Sequence, residues 1–288
     1  MNLPGADRHP RADAISPMGY RRAAVRLLLA VMALAISLPL HLAWRLFTHH
    51  TPLARLFLQA IGRIAGARVR TAGTALHRDV FYVANHVSWI DIPALAGATG
   101  TAFVAKAEVA ETPLLGWLCR LNHTVFVKRE ARLDVAGQIN ALRDALEDNR
   151  AVTIFPEGTT TDGRSLLPFK SAMLQVLEPP PPGVMVQPVL LDYGALAPVI
   201  GWVGNESGVA NALKVAARKG SFPLVVHFLE PFSPEVFRGR KAIAAEAQRR
   251  IAMALEASLG HPAAPFPQDV ADPARAARGK EAHDRAEG

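Results

Sequence analysis

The sequence predicts an α/β fold, in which a central mixed sheet is flanked by helices and preceded by a membrane-associated helical hairpin. The first observation is that, from about residue 69, short apolar segments alternate with segments of helical period, which is typical of α/β domains. The second is an uncharged, strongly apolar run at 27–44, followed by an amphipathic segment at 52–65. At 288 residues, the chain has room for one substantial domain with appendages.

These patterns divide the chain into four regions. Residues 1–20 are polar with Gly and Pro, and 262–288 consist of Pro, Ala and charged residues without periodicity, so we expect both termini to be disordered. Residues 21–66 form the predicted membrane-docking helices. Residues 69–260 form the predicted α/β domain.

The apolar run at 27–44 has roughly 18 residues, which is at the lower limit for crossing a bilayer. Arg21, Arg22 and Arg26 precede it, as in a signal peptide, but no small-residue cleavage site follows, so we expect the segment to be retained. The segment at 52–65 has an apolar stripe that suits either the membrane interface or packing against the domain. The pattern alone leaves open whether the first helix spans the bilayer or only dips into it.

The predicted strands are short, apolar and rich in β-branched or aromatic residues. They cover 80–84, 101–105, 124–127, 152–155, 184–191 and 224–229. Helical spacing at 135–146 predicts a helix with one buried face, and a further helix is predicted at 241–259. Ser233 followed by Pro234 is typical of a helix start.

The net charge of +7, from 32 basic and 25 acidic residues, suits an anionic membrane or an acidic substrate. The sequence has neither zinc-finger spacing nor dense basic runs with interleaved aromatic residues, so we expect no nucleic-acid partner. Cys119 is the only cysteine, which excludes an internal disulfide. Because the sequence has no glycine-rich nucleotide loop and no histidines paired at ligand spacing, we expect no cofactor and no metal.

The turn that follows the predicted strand at 80–84 is the best candidate for chemistry. Ser88 and Asp91 have the spacing of a helix N-cap and its third helical residue, which places His86 in a strand-to-helix turn. An imidazole can take a proton from a hydroxyl near neutral pH when a carboxylate fixes its tautomer. His86 is therefore a candidate general base and Asp91 its orienting partner, provided that His86 folds back over the first turn of the helix.

The same residues also fit a purely structural role. Asn85 and Ser88 are common turn and cap residues. His86 would then be a satisfied turn histidine, and Asp91 only a capping partner. Spacing alone does not separate the two interpretations.

Residues 85–91, NHVSWID, resemble the N-H-x-x-x-x-D signature of the glycerolipid acyltransferases, the family of bacterial 1-acylglycerol-3-phosphate acyltransferases and lysophospholipid acyltransferases. Companion blocks follow in the family's order. Residues 123–129 resemble G-x-x-F-x-x-R, with His123 in place of the glycine. Residues 155–159 reproduce F-P-E-G-T, and 169–172 resemble F-K-x-G. The resemblance covers roughly residues 75–230.

This resemblance implies a set of site residues. His86 is the implied general base with Asp91 as its partner, and Arg129 the implied ligand of the acceptor's phosphate. Glu157 is implied to accept hydrogen bonds from acceptor hydroxyls or to brace Arg129. The other residues expected to bind substrate are Asn85, Ser88, Gly158, Thr159 and Lys170. Backbone N–H groups near Gly158 or Ser88 are the candidate oxyanion donors.

The implied activity is direct transfer of a fatty acyl group from acyl-CoA or acyl carrier protein to the hydroxyl of a lysolipid, foremost 1-acylglycerol-3-phosphate, which gives phosphatidic acid. The family often has Thr-Arg-Ser after the glycine of the third block, whereas this chain has TTTDG at 159–163. That change and residues 193–208 also resemble acyltransferases that make ornithine lipids from lyso-ornithine lipid, which is the alternative acceptor. The implied location is a bacterial-type inner (cytoplasmic) membrane, with the catalytic domain facing the cytoplasm.

A non-catalytic membrane domain that binds lipid is an alternative of another class. It is disfavoured because a binder needs only a basic, apolar cleft, whereas His86, Asp91, Arg129 and Glu157 are all present. A serine hydrolase that uses Ser88 is disfavoured as well, since G-x-S-x-G does not occur.

Overall fold

The computed structural model describes residues 15–47, 52–127, 140 and 151–264. Its strands are β1 Ala67–Ala72, β2 Val80–Ala84, β3 Ala102–Lys106, β4 Val125–Val127, β5 Val152–Ile154, β6 Met185–Asp192 and β7 Phe222–Phe228. The described strands form one seven-stranded sheet in the order β1-β7-β6-β2-β5-β3-β4. Neighbouring strands are parallel except β6 and β7, which are antiparallel, so the predicted mixed sheet is confirmed.

Helices cover both faces of the sheet. The described helices are α1 Pro17–Trp44, α2 Leu53–Ala65, α3 Asp91–Thr99, α4 Ala107–Ala110, α5 Pro113–Leu121, α6 Ala197–Ile200, α7 Gly208–Ala217 and α8 Gly239–Leu259. Short 3-10 helices lie at Ser171–Leu177, Gly194–Leu196 and Pro234–Val236. The predicted helix at 135–146 falls, apart from Asn140, outside the described residues.

β2 lies at the centre of the core. All of its residues are buried, as expected for a strand covered on both faces. Tyr82 belongs to the apolar layer that includes residues of α3 and α7, whereas Phe81 belongs to the layer that includes α8. The two layers fix the position of β2 from both sides.

Three neighbouring strands end at the same edge of the sheet. β2 pairs in parallel with β5 and with β6, and the pairs Val83–Ile154 and Ala84–Val189 set the register. The loops after β2, β5 and β6 therefore meet at the carboxyl ends of these strands, which is where α/β sheets commonly bind ligands.

Two regions differ from the sequence prediction. β1 is missing from the predicted strands because it lies at the edge of the sheet, where Arg68 and Arg70 are exposed and break the apolar pattern. α1 begins at Pro17, inside the tail predicted to be disordered at 1–20. Ser16 Oγ accepts a hydrogen bond from Gly19 N at 3.2 Å, and Pro17 occupies the first turn, so both residues favour a helix start.

α1 and α2 pack against each other as the predicted N-terminal hairpin. By length and composition, α1 could cross a membrane, since its most apolar window of 18 residues has a mean hydropathy of 2.2 and is only 6% buried. α2 packs along α3, the helix that begins at the candidate catalytic carboxylate. The hairpin thus contacts the part of the domain that carries the site.

Candidate active site

His86 lies in the turn between β2 and α3, where the sequence places it. Its Nδ1 atom is 2.7 Å from Asp91 Oδ2, and the side chains are 18% and 0% exposed, respectively. Because a carboxylate accepts hydrogen bonds, we assign the proton of the neutral ring to Nδ1 and the lone pair to Nε2. The basic nitrogen therefore points away from Asp91.

Asp91 is fixed by the turn that it closes. Besides the imidazole, its Oδ2 accepts hydrogen bonds from the backbone N–H groups of Val87 at 2.7 Å and Ser88 at 2.9 Å. This corrects the predicted helix cap: α3 begins at Asp91, its cap residue is Ile90, and no side chain caps it. The predicted cap would have two reciprocal hydrogen bonds between Ser88 and Asp91, and only the one from Ser88 N to the Asp91 carboxylate is present.

Tyr193, which the sequence did not single out, contacts the other oxygen of the same carboxylate. Its phenol, on a side chain that is almost fully buried, donates to Asp91 Oδ1 at 2.5 Å. Burial, with the neighbouring Asp91 charge, raises the pKa of the Tyr193 phenol well above its usual value, so the phenol remains a donor. Asp91 thus accepts hydrogen bonds from groups on the β2 turn and from the end of β6.

Glu157 holds His86 through its main chain. Its Oε1 accepts from His86 N at 2.8 Å, and its Oε2 accepts from Leu167 N at 2.8 Å. Gly158 adopts a φ of 74°, which explains the glycine in the tight turn that aims this carboxyl inward. Burial raises the pKa of the Glu157 carboxyl to about 8, although the N–H groups of Leu167 and His86 act in the opposite direction.

Further contacts fix the remaining groups of the His86 turn. Thr161 N donates to His86 O at 2.8 Å, and Trp202 N donates to Val87 O at 2.9 Å. The Phe155 ring stacks on the imidazole, with ring centroids 4.2 Å apart. The ring and the backbone of His86 are therefore held by the segment that follows β5, and the next residue, Val87, is held by Trp202.

A cavity of about 790 Å³ opens at His86. Its lining is largely apolar and includes side chains from α1, α2 and α5, among them Leu38, Phe57 and Leu118. Trp89, Phe155 and Trp202 line it near the histidine turn. His86, the predicted general base, thus lines a space suited to an apolar substrate.

The other predicted substrate-binding residues divide into two groups. Gly158 and Thr159 line the cavity together with His86. Asn85 and Ser88 are buried and do not line the cavity. Asn85 exchanges hydrogen bonds with the backbone of Leu191. The structure therefore corrects the prediction that these two residues bind substrate. Burial of Ser88 also removes it as a nucleophile.

The other three predicted binding groups are Glu157, Lys170 and Arg129. Glu157 is 1% exposed and accepts hydrogen bonds from two backbone N–H groups, so its predicted contact with acceptor hydroxyls is replaced by a contact with the His86 turn. Lys170 is exposed and is not part of the cavity wall. Arg129 lies outside the described residues, so its predicted phosphate contact stays a prediction.

Two of the N–H groups in the region predicted to supply oxyanion donors, those of Ser88 and Gly158, are engaged by the protein. Ser88 N donates to Asp91, and Gly158 N donates to Phe155 O at 3.1 Å.

The backbone at His123 supports the resemblance to the family. His123 has a φ of 57°, in the left-handed region that the family's glycine at this position would adopt without strain.

Comparisons with known proteins agree with this geometry. A family model described as Acyltransferase matches residues 66–192. The lyso-ornithine lipid O-acyltransferase of Rhodobacter capsulatus is 31% identical over 265 residues, which cover 86% of this chain and 93% of that protein. The 1-acyl-sn-glycerol-3-phosphate acyltransferase of Neisseria gonorrhoeae is 40% identical over 96 residues, which cover 33% and 38% of the two chains.

A solved structure shares the fold. The crystal structure of the 1-acyl-sn-glycerophosphate (LPA) acyltransferase from Thermotoga maritima superposes with a TM-score of 0.59 at 22% identity, over 82% of this chain and 97% of that chain. Its similarity covers both the sheet and the flanking helices, because the match extends over most of each chain. With its histidine–aspartate pair at the carboxyl end of β2, the chain belongs to the glycerolipid acyltransferase family and is an O-acyltransferase.

Proposed function

We propose that the protein transfers a fatty acyl group from a thioester to the hydroxyl of a lysolipid, with His86 as the general base. The observation that carries this proposal is the 2.7 Å contact between His86 Nδ1 and Asp91, made at the wall of a large apolar cavity. The contact leaves Nε2 as the basic atom that can meet an acceptor hydroxyl.

The reaction follows from this arrangement. His86 Nε2 takes the hydroxyl proton while the acceptor oxygen bonds to the thioester carbonyl carbon. The tetrahedral intermediate then expels the thiolate by breaking the carbon–sulfur bond, and the imidazolium returns its proton to the thiolate. Asp91 stabilises the imidazolium at 2.7 Å in between, and no acyl-enzyme forms.

The N-terminal hairpin supports a location at the membrane. Its first helix exposes apolar side chains such as Leu27, Val31 and Ile36, whereas Leu38 and Phe57 line the cavity. An acyl chain in this cavity therefore meets a wall built partly from the hairpin, which suits delivery of lipid from a bilayer. We propose docking on the cytoplasmic side of a bacterial inner membrane.

The base of the hairpin is fastened to the catalytic domain. Arg22 Nε donates to Ala217 O at 2.8 Å, and the Arg26 guanidinium donates to Val215 O, Ala216 O and Gly220 O at 2.9–3.0 Å. Arginines at the carboxyl end of α7 also complement the helix dipole. The site and the hairpin should thus move as one unit when the protein docks.

For the acceptor, we propose lyso-ornithine lipid. Support comes from the Rhodobacter enzyme, whose similarity extends over 93% of its length, and from the missing arginine after Gly158. Lysophosphatidate is the second candidate, favoured by the higher identity of the shorter Neisseria match. The acyl donor is proposed to be acyl-CoA or acyl carrier protein.

The test is an acylation assay with the purified full chain in detergent. Labelled acyl-CoA and acyl carrier protein are each offered with lyso-ornithine lipid and with lysophosphatidate. We expect transfer to lyso-ornithine lipid, and a loss of about 10²- to 10⁴-fold in His86→Ala. His77→Ala, at an exposed position before β2, is the matched control and should keep its activity.

Each result bears on a different part of the proposal. Preferential acylation of lysophosphatidate would replace the proposed acceptor but keep the chemistry. Unchanged activity in folded His86→Ala protein would overturn the assignment of the base. Binding of lipid without any acylation would favour a lipid-binding domain.

A further inference from the structure

The charged side chains in the described wall of the cavity at His86 are not those expected of a phosphate-binding site. Among the described residues that line it, Glu206 is the one acidic side chain, and there is neither a lysine nor an arginine. A phosphate would gain no lysine or arginine from this part of the wall. Lys214 offsets the Glu206 charge from behind, at 2.8 Å, but does not itself line the cavity. The described wall therefore favours an acceptor head group that carries positive charge.

Glu206 is held from behind rather than left mobile. Its Oε2 accepts hydrogen bonds from Asn211 Nδ2 at 2.9 Å and from Lys214 Nζ at 2.8 Å. Asn211 is fully buried, and Lys214 also donates to Gly201 O at 3.0 Å and lines a separate cavity of about 220 Å³. Both donors bind the same oxygen, so Oε1 is the atom that a ligand in the larger cavity can approach.

The loop that carries Glu206 is tied to the catalytic turn. Trp202 Nε1 donates to Glu206 O at 2.6 Å, and Trp202 N donates to Val87 O at 2.9 Å. Thr160 Oγ1 donates to Trp202 O. The position of the carboxylate is therefore coupled, through one tryptophan, to the residue that follows His86.

We propose that Glu206 binds the ammonium group of the acceptor and so determines its head-group specificity. This inference rests on the proposed lysolipid acylation. An ornithine head group carries a primary ammonium, which can donate to Oε1 while Lys214 and Asn211 keep Oε2 in place. Because the Glu206 side chain is only 22% exposed, the ion pair forms in a partly desolvated site and gains more than a surface pair.

The experiment pairs a protein variant with a modified acceptor. Initial rates of wild type and Glu206→Gln are measured with lyso-ornithine lipid and with the same lipid acetylated on its side-chain amine. We expect Glu206→Gln to raise KM for the unmodified acceptor about tenfold, with little change in kcat, as expected for a lost charge-assisted hydrogen bond. With the acetylated acceptor, wild type and variant should have equal KM values.

This design separates a specific contact from general damage. Glu178→Gln is the matched control, because Glu178 pairs with Arg240 at 2.8 Å and does not line the cavity. If Glu206→Gln lowers activity equally on both acceptors, the residue only supports the loop and the inference is wrong. If Glu206→Gln leaves KM for lyso-ornithine lipid unchanged, the inference is wrong as well.

If lyso-ornithine lipid is not the acceptor, the assay gives a different result. Wild-type protein that acylates lysophosphatidate but neither lyso-ornithine lipid nor its acetylated form would overturn both the acceptor and the ammonium site. Wild-type protein that acylates lyso-ornithine lipid with no response to Glu206→Gln would overturn the ammonium site alone.

Discussion

Asp91 and Glu157 are both buried carboxylates that accept hydrogen bonds from the backbone around His86, but only Asp91 contacts the imidazole. Asp91 accepts from the ring, from two N–H groups of its own turn and from Tyr193. Glu157 accepts from the main chain of His86 and from Leu167. One carboxylate orients the imidazole of the proposed base, and the other places the backbone that carries it.

This difference has an electrostatic consequence. Asp91 has donors for both of its oxygens, and in the proposed mechanism it faces a ring that becomes positive, so its negative charge would stabilise the transition state. Glu157 has only neutral N–H donors, and burial raises its pKa to about 8, so it can be neutral while the enzyme works. We therefore expect their removal to affect different quantities.

Asp91→Asn should have the largest effect. An amide cannot accept from the ring and from both turn N–H groups in the same way, and it does not stabilise an imidazolium, so kcat/KM should fall by about 10³- to 10⁴-fold. Asp79→Asn is the control, because Asp79 is exposed with a φ of 51°, which asparagine tolerates well. A loss below tenfold in kcat/KM of a correctly folded Asp91→Asn protein would show that Asp91 is only structural.

Glu157→Gln should have a smaller effect on rate, because the imidazole keeps its partner. Displacement of the His86 backbone should lower kcat by about 10- to 100-fold, whereas Glu178→Gln should not. The more specific readout is stability against pH. The pKa of Glu157 is raised from 4.5 to about 8, so the folded state binds a proton more tightly than the unfolded state.

The sign of the pH effect follows from this shift. The contribution of Glu157 to stability is fully present below about pH 4.5 and is lost as pH rises to about 8. Denaturant unfolding of the full chain at several pH values should show that this decline is smaller in Glu157→Gln than in wild type. Parallel curves for the two proteins would contradict the raised pKa.

The sequence predicts the fold and the contact between His86 and Asp91 well, because both depend on local patterns. The apolar, β-branched and aromatic run located β2 residue for residue, and the spacing of His86 and Asp91 placed both in one turn. The spacing of Ser88 and Asp91 could not show which group would satisfy the helix start. In the structure, the Asp91 carboxylate takes the Ser88 N–H, while the Ser88 hydroxyl has no hydrogen-bond partner among the described residues.

The rest of the site depends on contacts between distant parts of the chain. Tyr193 is 102 residues from Asp91, and they meet only because β6 lies beside β2 in the sheet. Glu157 was found by its motif, but its partner, the N–H of His86, follows from the pairing of β5 with β2. A sequence shows neither strand order nor which side of a turn faces the cavity, which is why Glu157 was predicted to bind substrate.

Tyr193→Phe should have the smallest effect of the three changes, but it distinguishes most directly between the roles of Asp91 and Glu157. The variant keeps the ring but removes the donor to Asp91 Oδ1, so kcat/KM should fall about tenfold at neutral pH, the scale of one hydrogen bond to a charged group. Without this donor, the Asp91 charge acts more strongly on the imidazolium and stabilises it relative to the neutral ring. Since the base must be neutral, the acidic limb of the pH profile of kcat/KM should move to higher pH.

Tyr82→Phe provides the matched control for this change, because the Tyr82 hydroxyl binds Leu76 O and not the catalytic pair. It should alter stability without moving the pH profile. A Tyr193→Phe profile that superposes on that of wild type, with a lower rate at every pH, would mean that the phenol only supports packing. A shifted profile would instead show that the Asp91 carboxylate is tuned from β6, whereas Glu157 acts on the backbone of the same histidine from β5.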